Sequence, residues 1–196
     1  MSSDPRTAIL NAAGEVFGRY GFKKASVEDI AKRAGVGKGS IYLHFENKEA
    51  LFEACVKQEV ARGFVELRAR LRDAKTPVEQ VRTYIRCRIE QHTRKPEDPR
   101  IEMATVLELG EAAAHMIPQM VDEETSVLAA IIEHGVIQGV FHAGNSRQVA
   151  RGLVELIMVL GPWMLTSEPD EQSQKALDAS FEVFIRGLTV PPLPTS

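Results

Sequence analysis

Disulfides are the first thing this chain cannot be built on. Its 196 residues include two cysteines, Cys55 and Cys87, too few for a disulfide framework, so a reducing compartment is expected. Long apolar runs are missing too. The uncharged stretch Leu156 to Ser167 has 12 residues, against the roughly 20 of a membrane-spanning helix. The start, Met1 to Arg6, has no apolar stretch of the signal-peptide kind. There is no Asn-Gly or Asp-Gly dipeptide and no convincing alternating strand. These absences disfavour export, membrane insertion and a β-rich fold, and a cytoplasmic location is expected.

Catalytic and metal-binding patterns are also lacking. His92, His115, His134 and His142 have no metal-ligand spacing. The acids Glu111, Glu123 and Glu124 read as solvated charges on helix faces, and no Ser/His/Asp set can be argued. Gly35-Val36-Gly37-Lys38-Gly39-Ser40 is a poor phosphate loop: Gly39 rather than Ser or Thr follows Lys38, and no strand precedes it. No catalytic residue, metal or cofactor is therefore expected. Cys55 reads as a small buried hydrophobe, whereas Cys87 lies off the Val78/Val81/Ile85/Ile89 stripe and is expected to be the more reactive thiol.

What is present is ordinary globular composition, 44% hydrophobic and 26% charged, enough to bury a core without staples. The net charge of -3 argues against a nucleic-acid binder, but the charge is uneven: +2 over residues 1–50 and -5 over the rest. The apolar period is helical almost everywhere. Asp4 and Pro5 punctuate a first helix with Ile9, Ala12, Ala13, Val16, Phe17 and Tyr20 on one face, and Gly21 suits a left-handed stop. Ser26 can cap a second helix that ends at Gly35. A third is predicted from about Gly37 to His44, and a long fourth from about Lys48 to Ala74, capped by Asn47. Further helices are expected near 77–94, 100–115, 117–142, 146–165 and 173–189. Gly135 and Gly139 imply a close contact or a kink, and the helix at 146–165 is apolar nearly all round. Residues 191–196, Pro-rich, cannot continue a helix and read as a flexible tail.

Two short helices joined at Gly35-Val36, with small inner residues Ala31 and Ala34, have the helix-turn-helix form. Ile41 and Phe45 point inward. At 100° per residue Gly39 and Leu43 then point away, flanked by Lys38, Ser40, Tyr42 and His44. A helix seated in a major groove needs such a face. Lys48 and the amides after Asn47 add a phosphate site. The residues alone leave a second reading open, an ordinary helical hairpin with solvated charges.

The stretch Ile9-Leu10-Asn11-Ala12-Ala13-Gly14-Glu15-Val16-Phe17 with Tyr20-Gly21-Phe22, then Ser26 to Val36, Gly37 to Phe45 and Asn47 to Phe52, resembles the opening of the TetR family of bacterial repressors, nearly gapless over about 9–55. The resemblance implies an all-α fold of about nine helices. A three-helix DNA-binding domain (1–47) would precede an effector-binding and dimerisation domain (48–190). It implies a cytoplasmic homodimer on a (pseudo)palindromic double-stranded DNA operator, released by a small-molecule effector, for which the methionines of the middle helices favour apolar or amphipathic chemistry. Ser26, Tyr42 and Lys48 would then face phosphate, and Lys38, Gly39, Ser40, Leu43 and His44 would meet DNA. Two positions depart from the family: Gly37 stands where Ser or Thr is common and offers only its amide, and Leu43 replaces a larger polar ring. Pocket candidates are Phe64, Met103, Leu107, Met116, Met120, Ile137, Met158 and Trp163. The family's dimer seam, a bundle of the last two helices from each subunit, would use Val149, Leu153, Leu156, Leu160, Leu177, Phe181, Phe184 and Leu188, with Gly152, Gly161 and Ala179 allowing close approach. A regulator without an effector and a helical enzyme with a chance hairpin are the competing classes.

Overall fold

The computed structural model describes residues 4–94, 102–167 (162–167 as backbone) and 170–189. The expected tail at 191–196 and the Trp163 side chain lie outside the described residues. The elements are α1 (Pro5–Lys24), α2 (Val27–Ala34), α3 (Lys38–His44), α4 (Lys48–Asp73), α5 (Pro77–Thr93), α6 (Met103–Ala113), a 3-10 turn (Ala114–Met116), α7 (Ile117–Ile137), α8 (Ser146–Ser167) and α9 (Glu171–Thr189). No strand occurs among the described residues, so the all-α expectation holds.

Local chemistry sets most of the boundaries. Ser26 caps α2, its hydroxyl accepting the Asp29 N–H at 3.1 Å and donating to the Asp29 carboxylate at 2.6 Å. Gly35 ends α2 in the left-handed conformation (φ 69, ψ 28), and the Val36 N–H closes on the Ala31 carbonyl. Asn47 accepts the Ala50 N–H at 2.7 Å. Thr76 and Glu79 form a capping box on α5. Asp4 stands at the N-cap of α1 but caps no backbone N–H; its carboxylate takes the Thr7 hydroxyl instead. Gly21 breaks the helix where the stop was expected: its φ of 77 is positive and its ψ of 171 is not helical, and a single turn to Lys24 follows the kink. Helix α7 ends at Ile137 rather than 142, because Gly139 (φ 71) reverses the chain and Phe141 returns onto Gly135, where a Cβ would lie 2.1 Å from its ring.

The chain divides into two compact units, Met1–Gly63 with Pro96–Ile117, and Phe64–Lys95 with Pro118–Ser196. This differs from the boundary expected at 47/48. Helix α4 contributes residues to both, and α6 joins the first, because Leu109, Ala112 and Ala113 pack on its core. That core is Ile9, Ala13, Phe17, Ile30, Ile41, Phe45, Leu51 and Phe52, tightened by an edge-to-face Phe17–Phe52 pair at 5.2 Å. In the second unit α5 packs against α8 and α9. Its interior holds a charge pair: the Arg88 guanidinium donates to Glu124, Nε at 2.9 Å, with Nη2 lying 2.6 Å from the other carboxylate oxygen. The Tyr84 hydroxyl donates to the same Glu124 at 2.7 Å, and Arg88 lies over the Phe64 ring. Glu124 is thus buried and paired, not the solvated acid expected. Cys87 is fully buried and burial pushes its thiol up, which removes the expectation of a reactive cysteine.

Candidate nucleic-acid interface

Helix α3 is seven residues long and is held from behind. Ile41 is 1% exposed and Phe45, just past its end, is buried in the same core. The opposite side is bare. Leu43 is 84% exposed; Gly37, Lys38, Gly39, Tyr42 and His44 are exposed, and Ser40 is half-buried. A Cβ at Gly37 or Gly39 would meet nothing within 4 Å. Neither glycine is therefore demanded by the chain's own packing, and Gly39 leaves a recess in the exposed face. The residues singled out on α3 thus fall on one continuous outward surface of backbone, hydroxyl, imidazole and apolar groups.

The two flanking lysines are engaged within the unit. Lys38 pairs with Glu28 of α2, which holds the Glu28 carboxyl below its ordinary range and pushes the Lys38 ammonium up. Both groups are exposed, so the pair is readily exchanged for another anion. Lys48 is half-buried. Its Nζ donates to the Phe22 carbonyl at 2.9 Å and the Ala25 carbonyl at 3.3 Å, and lies 4.5 Å from the Phe22 ring centre. It ties the start of α4 to the connector between α1 and α2. Ser26 is likewise occupied as a cap. Sequence reasoning passed over Lys23, Lys24 and Lys32, exposed cations of this unit with no ion-pair partner among the described residues.

The pocket candidates are shared between the two units. Met103, Leu107 and Met116 belong to the first unit, and Phe64, Met120, Ile137 and Met158 to the second. Ile137 is 78% exposed and Leu107 half-exposed, so both leave the interior list; helical period gives a side but not its cover. The residues that sequence reasoning missed are Arg88 and Glu124. Their one signal was an arginine on the Val81/Tyr84/Ile85 stripe of α5, where an apolar residue belongs.

The seam candidates also divide. Leu153, Phe181 and Leu188 are buried within the chain, Val149, Leu160, Leu177 and Phe184 are half-buried, and Leu156 is half-exposed. Leu177 and Phe181 line a groove of about 430 Å³ between α5 and α9, with Ile85, Ile89 and Ile185. Gly161 serves a contact inside the chain, its missing Cβ leaving room for His92. The apolar surface left outward is Gly152, Leu156 and Val159 on α8, and Ala176, Ala179, Val183 and Gly187 on α9.

Two family models match the chain. Bacterial regulatory proteins of the tetR family match over residues 9–55, and the tetracyclin repressor-like C-terminal domain over 77–180. The HTH-type transcriptional regulator RutR of Escherichia coli (strain K12) is 33% identical over 131 residues, 67% of this chain and 58% of RutR, so the match covers less than two thirds of that relative. The regulator UidR of the same strain is 43% identical over 63 residues, 32% of each chain. A solved transcriptional regulator from Cytophaga hutchinsonii ATCC 33406 superposes with a TM-score of 0.68 at 25% identity, covering 93% of this chain and 97% of the other. FadR from Bacillus subtilis, solved in complex with stearoyl-CoA, shares the fold with a TM-score of 0.68 at 21% identity, covering 93% and 98%.

Proposed function

This chain belongs to the tetR family of bacterial regulatory proteins, and from that premise we propose that it is a ligand-responsive transcriptional repressor of the cytoplasm, binding a palindromic operator as a homodimer. The observation that carries the reading is the bare side of α3: Leu43 is open while Ile41, two residues earlier and on the opposite side of the helix, is sealed in the core. Gly37, Lys38, Gly39, Ser40, Tyr42, Leu43 and His44 would face the major groove and its phosphates. Leu43 suits a thymine methyl, and Gly39 lets the helix backbone approach closely. Two such helices about 34–36 Å apart would enter successive grooves. The outward apolar stripes of α8 and α9 supply the surface for pairing two copies, in place of the buried Leu153, Phe181 and Leu188.

Residues 64–189 would carry the effector site. FadR's complex with stearoyl-CoA supports an apolar or amphipathic effector here. An effector shifts DNA affinity only by its differential binding to the two states, commonly about 1–3 kcal/mol. The test is a footprint on the DNA flanking the chain's own coding region. The expected result is two protected half-sites, with affinity falling steeply as salt rises. Weak binding spread evenly over the fragment would overturn the reading.

A further inference from the structure

The last turn of α1 after the break at Gly21, with Ala25 beyond it, forms a connector into the helix-turn-helix and is held by two side chains. The Lys48 ammonium holds the Phe22 and Ala25 carbonyls. The other is Glu108 of α6. The Lys23 N–H donates to its Oε1 at 2.7 Å. A Cβ on Gly21 would come to 2.9 Å from the same carboxylate, and Gly21 also has a φ of 77. Glycine is thus favoured there by backbone conformation, and a Cβ would also push the Glu108 carboxylate aside. The N–H that Glu108 takes lies past the break in α1, and a carboxylate acceptor makes it a charge-assisted bond.

Helix α6 is placed to use this contact. It lies within the stretch matched by the C-terminal family model, yet it packs in the first unit through Leu109, Ala112 and Ala113. Just past its end the His115 ring bonds Glu53 of α4 at 3.0 Å, a second tie within that unit.

We infer that Glu108 is a positioning residue for operator reading: its carboxylate on the Gly21–Ala25 connector fixes the pose of α2 and α3, so that α6 sets operator affinity without touching DNA. The inference rests on the DNA-binding reading above. Losing the carboxylate frees the connector and lets α3 sample poses that no longer match two half-sites at once. Binding to arbitrary duplex, which needs only phosphate contact, tolerates those poses.

The test compares wild type, Glu108→Ala and Glu108→Gln on two duplexes of equal length, the footprinted fragment and a random sequence. Glu108→Ala is expected to lose about tenfold on the footprinted fragment and nothing on the random one, and the Lys23 amide is expected to exchange with solvent faster. Glu108→Gln keeps a carbonyl that can accept the Lys23 N–H and should stay close to wild type, which also guards against an alanine variant that fails to fold. Full affinity in Glu108→Ala, an equal loss on both duplexes, or an unchanged Lys23 amide would overturn the role of Glu108. Wild type showing no preference for the footprinted fragment would sink the DNA-binding reading, and this role with it.

Discussion

Gly39 weakens the helix it sits in, and nothing in the chain requires it. Its φ is not positive and no atom lies within 4 Å of where a Cβ would be. A glycine inside a helix costs about 1 kcal/mol relative to alanine. Gly39→Ala should therefore raise the melting temperature and lower operator affinity, opposite signs that a melt and a DNA titration can read on one sample. An unchanged affinity would mean that the recess at Gly39 meets nothing. The lysines teach a related point. Lys38 and Lys48 are the residues a charge-based reading selects for phosphate, and both have partners of their own, Glu28 for one and two backbone carbonyls for the other. The exposed Lys38 pair can open to a phosphate; the half-buried Lys48 holds the connector that Glu108 also holds.

Helix α5 carries the element-scale test. His92, in its last turn, packs where Gly161 of α8 leaves room, and burial, with the Arg88 charge adding to it, pushes its imidazole below the ordinary value. The sign follows directly. Below the unfolded imidazole value of about 6.5 the unfolded chain binds the proton more readily than the folded one, so stability is intact above that pH and falls beneath it. Urea unfolding should show the loss between pH 7 and 5.5 in wild type and a smaller loss in His92→Gln; equal losses would show that His92 is not the group titrating. What was legible in the sequence at this scale was local. Ser26, Gly35 and Asn47 mark helix ends because a cap needs only the three or four residues beside it. Arg88 with Glu124, 36 residues apart, and Lys23 with Glu108, 85 apart, were illegible because a helical period names a face and not the partner brought against it. The outward face of α9 was illegible for the same reason: Phe181 and Val183 are both apolar, and only the packing of α9 against α5 shows that Phe181 faces inward.

At the scale of the whole molecule, α8 and α9 expose apolar side chains that the described residues leave without cover, Val159 and Val183 among them. In the homodimer proposed above, this surface is the one that pairs two copies. Val183, 69% exposed, makes a cleaner probe than the buried Phe181, whose loss would damage the α5/α9 packing itself. Val183→Glu should sediment as a monomer with unchanged helix content, and intact dimers would remove α9 from the seam. A dimer carries every α3 substitution twice, so the complete assembly is the most sensitive reporter of what that helix does. The deciding measurement is a titration of the footprinted operator with wild type and Leu43→Asp, each checked by thermal melting. Because Leu43 is 84% exposed, the melting temperature should be unchanged and specific binding lost. An equally stable Leu43→Asp dimer that binds the operator as tightly as wild type would contradict the major-groove role of α3.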